Sequence, residues 1–397
     1  MARRITLDFL KTESGSGWLL AISAALAMLA ANSPWSAFYF AFIGHTLSVR
    51  IGDFGVSLTV LDWVKQGLMA VFFLVVGLEI KFEILRGELS SPRRLALPLF
   101  AAAGGMIVPA LIYRACNLGP HGEPVGWPVP IATDIAFALA ALAMAAPKLP
   151  STLRVFLLTL AIADDLGAVA LIALLFNAKL HLLSILAATS VLAGMALISR
   201  WKRAPLMLYG LGFALTWAFV LKSGIDTSIA GIACALTLPI GARRAGQTSV
   251  LQAFIDTLHP YVAFAILPLF AFTEAGFPIS GDLIRHALSP LPIGIFLGLC
   301  VGKPLGIFSF SVLGAVTRLG RKPTGSTWPE LLGVAMLCGA GFTLSLYIGA
   351  LAFGPGNASL QPLVRLGVIA GTVTAILTGG ILLRRLQYLR DGVKALP

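Results

Sequence analysis

Charged side chains are scarce in this chain. Asp, Glu, Lys and Arg make up 12% of its 397 residues, about half of the ~25% that a soluble domain carries. Hydrophobic residues make up 58%, and the mean hydropathy is +0.91. Apolar runs of about 20 residues, each long enough to cross a bilayer, recur from end to end. The scarcity of charge therefore excludes a sizeable soluble domain and indicates an all-α polytopic membrane protein.

Cysteine and histidine are also rare, with four and five residues respectively. Cys116, Cys234, Cys300 and Cys338 show neither metal-ligand spacing nor an obvious disulfide pattern, and we interpret them as small buried residues. The histidines have no ligand spacing either. These residues therefore predict no metal site built from Cys and His. We also expect a protein that is not an enzyme and has no cofactor.

Twelve segments qualify as candidate membrane spans. They lie near residues 13–33, 59–82, 95–115, 121–146, 152–176, 181–199, 205–222, 224–240, 257–275, 289–314, 328–351 and 360–383. We therefore predict one integral membrane domain over residues 1–397 with about 12 transmembrane helices.

The net charge of +12 suggests a nucleic-acid partner at first sight, but its distribution argues against one. With an even number of spans, both termini and most Lys and Arg residues lie on one side. The opposite side holds only Arg50, Lys65, Arg114, Lys179, Lys222, Arg285 and Arg365. This asymmetry follows the positive-inside rule. It predicts cytoplasmic termini, a lipid environment and no nucleic-acid partner.

Three acids lie deep in predicted spans, whereas most others fall in loops or at membrane edges. They are Asp134, Asp164 and Asp165. At about 1.5 Å per residue, Asp164 lies roughly 15 Å beyond Arg154, near the bilayer midplane. A carboxylate there costs about 2.5–3.5 kcal/mol even on lenient insertion scales. The adjacent pair Asp164 and Asp165 would be retained only where water or a cation reaches it. The pair therefore indicates ion transport.

Lys303 is the basic residue that, like the three acids, lies deep in a predicted span. Glycines at 294, 298, 302 and 306 of that span allow another helix to approach closely. Asp164 and Asp165 point about 100° apart on a helix, so one can pair with Lys303 while the other binds a cation. Because burial disfavours the charged forms, a proton and a cation would compete for the same oxygens. The alternative is a purely structural buried salt bridge among the three residues.

Spans four and eleven contain helix breakers, a pattern typical of transporters with inverted-topology repeats. The breakers are Pro124, Pro128, Pro130, Gly333, Gly339 and Gly341. We predict repeats over 95–176 and 289–383. Thr133 beside the first break offers an oxygen ligand. Asp134 either balances the dipoles of half-helix N-termini or binds the ion directly.

Residues 45–60 alternate apolar and polar side chains around Gly52, Asp53 and Gly55, which favours a β-hairpin over an unstructured loop. A lone hairpin is marginally stable, so we expect it to pair with its copy in a homodimer.

Charged residues also end span two. Glu79, Lys81 and Glu83 either snorkel at the membrane edge or form a cytoplasmic entrance that attracts cations and responds to pH. Asp256 lies one turn before His259, which either titrates near neutrality or is incidental.

Seven stretches resemble the NhaA family of bacterial Na+/H+ antiporters and occur in family order over essentially the whole chain. They are VGLEIKFE (76–83), PIATDIAFALA (130–140), LAIADDLGA (160–168), LKSG (221–224), LHPYVAFAILPLFAF (258–272), GKPLGI (302–307) and CGAGFTLSL (338–346). The resemblance implies a bacterial inner-membrane protein that exports Na+ or Li+ electrogenically, driven by inward H+ flow, in sodium and pH homeostasis.

The resemblance also implies residue roles. Asp165 would be the principal cation ligand, and Asp164 would exchange protons and pair with Lys303. Thr133 and Asp134 would lie where interrupted spans four and eleven cross. Glu79 would lie at the cytoplasmic entrance, and the 45–60 hairpin would join two protomers.

The chain departs from the family pattern at three positions that border the implied pH-response region. Phe82 stands where arginine is frequent, Asp226 where some members have histidine, and Ile255 in a segment where some have glutamate and histidine. The residues implied in ion exchange therefore match the family pattern, whereas these three positions near the implied pH-response region do not.

Three other functions compete with antiport. A cation-coupled symporter for an organic solute would need a roomier polar cavity. A transport-dead sensor would not need Asp164, Asp165 and Lys303 together. A channel suits these midplane charges less well than alternating access does.

Overall fold

The computed structural model describes residues 2–51, 54–86, 92–175, 180–201, 205–241 and 249–394, and they are mostly helical. The α-helices are α1 (Ala2–Ala31), α2 (Ser36–Gly44), α3 (Val60–Asp62), α4 (Met69–Arg86), α5 (Pro92–Cys116), α6 (Ile135–Ala145), α7 (Ser151–Leu175), α8 (Leu182–Ile198), α9 (Leu206–Ser223), α10 (Ser228–Thr237), α11 (Val250–Tyr261), α12 (Leu267–Ala275), α13 (Gly281–His286), α14 (Pro290–Leu297), α15 (Lys303–Val316), α16 (Trp328–Leu337), α17 (Phe342–Phe353) and α18 (Gln361–Lys394).

Short irregular turns connect several of these helices. Wider π-turns lie at Trp63–Leu68, Val262–Ile266 and Gly298–Gly302, and tighter 3-10 turns lie at Pro124–Gly126, Val129–Ile131 and Pro355–Leu360. The π-turns lead directly into α4, α12 and α15, so that helix continues on both sides of each turn.

The polytopic helical architecture is confirmed. Among the described residues, six helices are long and apolar enough to cross a membrane, or up to nine if each of three bent helix pairs counts as one span. Each of the twelve predicted segments contains helix. The count of twelve spans stays a prediction.

The small sheet is an antiparallel hairpin of β1 (Thr46–Ile51) and β2 (Phe54–Thr59). Thr46 pairs with Thr59 and Val49 with Val56, and the Ser48 and Ser57 hydroxyls lie 2.8 Å apart on one face. The Trp63 indole donates a hydrogen bond to the Leu47 carbonyl at 3.0 Å. The predicted hairpin is therefore confirmed over an unstructured loop, although the turn residues 52–53 lie outside the described residues.

The chain forms two compact units. The first comprises Met1–Met28, Ser91–Ala168 and Ala275–Pro397. Its core includes Leu97 on α5, Leu142 on α6, Leu157 on α7, Ile307 on α15 and Val334 on α16. This unit contains Thr133, Asp134, Asp164, Asp165 and Lys303.

The second unit comprises Leu29–Ser90 and Val169–Glu274. Its core includes Leu78 on α4, Met195 on α8, Tyr209 on α9 and Cys234 on α10, and the departing residues Phe82 and Ile255 pack against this core. Apolar side chains at these two positions therefore join the packing of the unit. Asp226, the third position that departs from the family pattern, accepts a hydrogen bond at Oδ1 from the Ser228 backbone N–H at 2.9 Å.

The structure buries two acids that the sequence analysis does not single out, Glu274 and Glu330. Glu274 is only 1% exposed and forms an ion pair with Lys65 at 2.6 Å in the second unit. Glu330 is 2% exposed in the first unit. Both lie close to helix ends along the sequence, so span position alone gave no sign that they are buried.

Candidate functional site

Two helices of the first unit are broken where the sequence predicts. In span four the chain leaves the Val129–Ile131 turn, runs extended at Ala132 and re-enters helix at Ile135, with a bend of 45°. In span eleven α16 ends at Leu337 and α17 begins at Phe342, with a bend of 48°. Proline in the first break lacks an N–H. In the second break, a Cβ on Gly339 would lie 2.4 Å from the Leu299 carbonyl oxygen, so the close approach there requires glycine.

The two breaks satisfy each other's backbone groups. The Asp134 N–H donates to the Ala340 carbonyl at 2.6 Å. The Ser345 hydroxyl donates to the Val129 carbonyl at 2.7 Å, and the Thr133 hydroxyl lies 3.0 Å from the Cys338 carbonyl. Since an unpaired polar group at membrane depth costs several kcal/mol, these cross-bonds explain how both interruptions are tolerated. The two interrupted segments therefore meet.

Asp134 caps two helices with one carboxylate. Its Oδ1 accepts from the Phe137 N–H of α6 at 3.1 Å. Its Oδ2 accepts from the Thr343 N–H of α17 at 3.1 Å and from the Thr343 hydroxyl at 2.5 Å. A negative charge at two helix N-termini is favourable because both carry partial positive charge. These contacts are those of the dipole-balancing alternative, and a direct ion-binding role for Asp134 stays a prediction.

Asp164 and Lys303 form an ion pair inside the first unit, with both side chains 0% exposed. The Lys303 ammonium donates to Asp164 Oδ2 and to the Ile131 carbonyl. The Thr133 hydroxyl lies 2.7 Å from the same Asp164 oxygen. Asp164 Oδ1 is buried and has no hydrogen-bond partner among the described residues. Oδ2 of Asp164 therefore has two polar neighbours, the Lys303 ammonium and the Thr133 hydroxyl. Oδ1 can still accept a proton or a cation.

The ammonium of Lys303 also balances a helix C-terminus. Ile131 is the last residue of the Val129–Ile131 turn, and its carbonyl carries the partial negative charge of a helix end. The ammonium of Lys303 and the carboxylate of Asp134 therefore lie on the two sides of the break, at the end of the Val129–Ile131 turn and at the start of α6.

Close helix packing brings Lys303 to this position. A Cβ added to Gly298 would lie 2.6 Å from Pro130 Cβ, and one on Gly302 would lie 2.6 Å from Pro109 Cα. A Cβ on Gly306 would lie 2.1 Å from the Gly104 carbonyl oxygen. The predicted smooth glycine stripe is therefore in contact with α5 and with the first break. The π-turn Gly298–Gly302 widens the helix immediately before the lysine.

Asp165 follows Asp164 on α7 and is 3% exposed. The consecutive carboxylates of α7 are both buried, as the sequence indicates. Its role as the principal cation ligand stays a prediction.

The residues predicted at the cytoplasmic entrance belong to the second unit. Glu79, Lys81 and Glu83 are partly exposed on α4, and Asp256 is exposed on α11, where it accepts a hydrogen bond from Gln252 at 2.9 Å. Lys81 donates to the Leu236 and Leu238 carbonyls at 2.6 Å each, which caps the C-terminal end of α10. The pH-response role of this group stays a prediction.

Sequence reasoning missed several partners in the site. Thr343 lies in the first turn of α17, where its N–H and its hydroxyl both donate to Asp134 Oδ2. A threonine inside an apolar helix carries no local signal for such a contact. The carbonyls of Ile131 and Cys338 carry no residue-type signal, because any residue supplies the same backbone oxygen.

Comparison with known proteins covers almost the whole chain. The family described as Na+/H+ antiporter 1 matches residues 7–383. The chain is 45% identical over 378 residues to Na+/H+ antiporter NhaA 1 of Syntrophotalea carbinolica, covering 95% of each chain. It is 43% identical over 380 residues to Na+/H+ antiporter NhaA of Pseudomonas putida, covering 95% of this chain and 96% of the relative. The chain therefore belongs to the NhaA family of sodium/proton antiporters.

Proposed function

We propose that the chain is a secondary active, electrogenic antiporter that exports Na+ or Li+ in exchange for inward-moving H+. Its cellular role is sodium and pH homeostasis at the bacterial inner membrane. Membership of a sodium/proton antiporter family supports antiport over the organic-solute symporter, the channel and the transport-dead sensor. Several apolar helices of spanning length support a multi-pass membrane location.

The observation that carries the proposal is the environment of Asp164. Lys303 and Thr133 donate to one of its buried oxygens, while Oδ1 has no hydrogen-bond partner among the described residues. Asp165 lies next to it on α7 and would bind the cation as principal ligand. Thr133 and Asp164 would supply further oxygens, which are the ligands that hard cations prefer.

Competition at these oxygens would couple the two fluxes. A protonated carboxylate is a poor cation ligand, and a bound cation disfavours protonation by repulsion. The ammonium of Lys303 would offset part of the cost of burying a charged Asp164, so proton binding would compete with this ion pair as well as with the cation. If Asp164 and Asp165 both exchange protons while one monovalent cation moves, each cycle transfers net positive charge inward. That imbalance would make exchange electrogenic.

Peripheral features would serve the same cycle. Glu79, Glu83 and Asp256 would attract cations at the cytoplasmic entrance and respond to pH. The 45–60 hairpin would lie in the periplasm and join two protomers. Twelve spans with cytoplasmic termini, built from inverted repeats over 95–176 and 289–383, would place the two breaks at mid-membrane.

The proposal is tested with purified protein in proteoliposomes that carry an imposed pH gradient. We expect Na+ and Li+ to dissipate the gradient, and a potential-sensitive dye to report charge movement in the same vesicles. Choline serves as the control cation. Failure of Na+ and Li+ at every pH from mildly acidic to alkaline would reject antiport and favour solute symport or a transport-dead role.

A further inference from the structure

The last turns of α18 contact the beginning of α16. Arg390 Nη1 donates to Glu330 Oε1 at 3.0 Å, and Arg390 Nη2 donates to the Gly325 carbonyl at 3.1 Å. The Glu330 side chain is 2% exposed and the Arg390 side chain 32%. An ion pair with one partner buried is screened less than a surface pair. The Arg390–Glu330 ion pair therefore links the end of α18 to the beginning of α16.

Glu330 uses both of its carboxylate oxygens at this contact. Its Oε2 accepts from the Thr327 N–H at 2.7 Å, and its own N–H donates to the Thr327 hydroxyl at 3.3 Å. This reciprocal capping box fixes the first turn of α16. Arg390 binds the remaining oxygen, so it links the cap of α16 to another helix. Gly325 has a φ of +75°, a left-handed conformation that suits glycine in this turn.

Helix α16 connects this contact to the ion-exchange residues. It has ten residues, which corresponds to about 15 Å. Just beyond its other end, the Cys338 carbonyl lies 3.0 Å from the Thr133 hydroxyl, which also contacts Asp164. A helix this short with a break behind it has little to hold its tilt except side-chain packing. Displacement at Glu330 would therefore move the Cys338 carbonyl.

Helix α18 also supports α16 along its length. A Cβ on Gly333 of α16 would lie 2.5 Å from Leu383 Cδ2, and a Cβ on Gly379 of α18 would lie 2.9 Å from Leu337 Cδ2. The backbones thus approach closely at two levels. The Arg390–Glu330 ion pair lies beyond these glycine contacts along α18. It adds a charged contact between α18 and the beginning of α16.

We propose that Arg390 is a positioning residue for cation exchange, acting through Glu330 and α16 on the Thr133–Asp164 contact. The inference rests on the proposed antiport function. Among the contacts of the described residues, neither Arg390 nor Glu330 touches the exchange residues. Substitution of Arg390 would therefore act on the positions of the ligand oxygens. A small misplacement of a ligand oxygen weakens cation binding, so it is expressed mainly in apparent affinity.

The same end of α18 supplies a matched control. Lys148 pairs with Asp391 at 2.9 Å, but these side chains are 68% and 42% exposed. Exposed pairs contribute little because solvent and salt screen them. Lys148 contacts neither Glu330 nor Gly325 among the contacts of the described residues. Loss of the Lys148 pair should leave α16 in place.

The test compares Arg390→Gln, Arg390→Lys and Lys148→Gln with the parent protein in proteoliposomes. We expect Arg390→Gln to raise the KM for Na+ about 3- to 10-fold with a smaller change in kcat, because only ligand geometry is disturbed. Arg390→Lys keeps the charge and should recover part of the affinity. Lys148→Gln should keep KM within about 2-fold.

A second readout follows α16 directly. Hydrogen–deuterium exchange of residues 328–337 should accelerate in Arg390→Gln and stay unchanged in Lys148→Gln. An unchanged KM in folded Arg390→Gln, or a loss that only tracks the amount of folded protein, would overturn the inference. Absence of exchange by the parent protein would instead reject the antiport function, so the two failures are distinguishable.

Discussion

At the scale of single residues, Asp164 and Asp165 are adjacent acids with different surroundings. Asp164 is held by an ammonium and a hydroxyl on one oxygen. Asp165 follows about 100° further round the helix, so the two carboxylates face different neighbours. The proposed exchange chemistry assigns pairing with Lys303 to Asp164 and cation binding to Asp165.

Loss of Lys303 should destabilise the folded protein. Lys303→Ala would leave the Asp164 carboxylate buried without its ammonium partner, and breaking a buried pair from one side costs about 3–5 kcal/mol. We expect a clear fall in the melting temperature of the detergent-purified protein. Lys148→Ala removes an exposed partner and should change stability by less than about 1 kcal/mol. Equal melting temperatures for the two variants would argue against the stabilising role of the buried pair.

Residue chemistry also decides how much of the site the sequence predicts. Asp164 and Lys303 are 139 positions apart, yet both are recognisable as charges deep in apolar segments. Thr343 contacts Asp134, and the Ile131 carbonyl contacts Lys303, but neither threonine nor isoleucine is unusual in a helix. Glu274 lies near a segment end, so its burial beside Lys65 depends on tertiary packing that no local pattern encodes.

At the scale of elements, the site depends on helices that are interrupted and on helices that approach closely. Pro128 and Pro130 predict the first break because proline cannot complete the helix hydrogen bonds. The π-turn at Gly298–Gly302 has no comparable signal, since these residues also fit a regular helix next to a small-residue stripe. Breaks are therefore more predictable than changes of helical pitch.

The contact between α5 and α15 allows no side chain at Gly306. A Cβ there would lie 2.1 Å from the Gly104 carbonyl oxygen, which is backbone and cannot move aside. Gly306→Val should therefore separate the two helices and cost at least about 1–3 kcal/mol. We expect poor recovery of folded protein and a lower melting temperature in detergent.

Gly194→Val on α8 is the matched control, because nothing among the described residues lies within 4 Å of a Cβ at that position. It introduces the same side chain into a helix without a clash and should be recovered in normal yield. Similar behaviour of the two valine variants would contradict the close approach of α5 and α15.

At the scale of the whole molecule, the 45–60 hairpin is the natural candidate for contacts between protomers. It is a two-stranded sheet, so each strand has an edge without a strand neighbour within the hairpin. Leu47 and Val49 on β1 are 47% and 53% exposed. Exposed edges and apolar side chains favour pairing with a second copy.

Removal of the hairpin should therefore shift the protein from dimer to monomer. The test replaces residues 46–59 with a short Gly-Ser linker and measures the protein mass in detergent by light scattering. Ser48→Ala serves as the control, since it keeps both strands and loses one exposed hydroxyl contact. A monomeric parent protein, or a dimer that survives the replacement, would contradict the dimer proposal.

Sodium/proton exchange through the aspartate pair is tested most directly in inside-out membrane vesicles. The measurement is the dissipation of a respiratory pH gradient by Na+ with the parent protein, Asp165→Asn and Asp282→Asn. Asp282 is the control because its side chain is 83% exposed, on the short helix α13. We expect no Na+ response for Asp165→Asn and a full response for the other two proteins. A full response from folded Asp165→Asn would contradict the assignment of the exchange site.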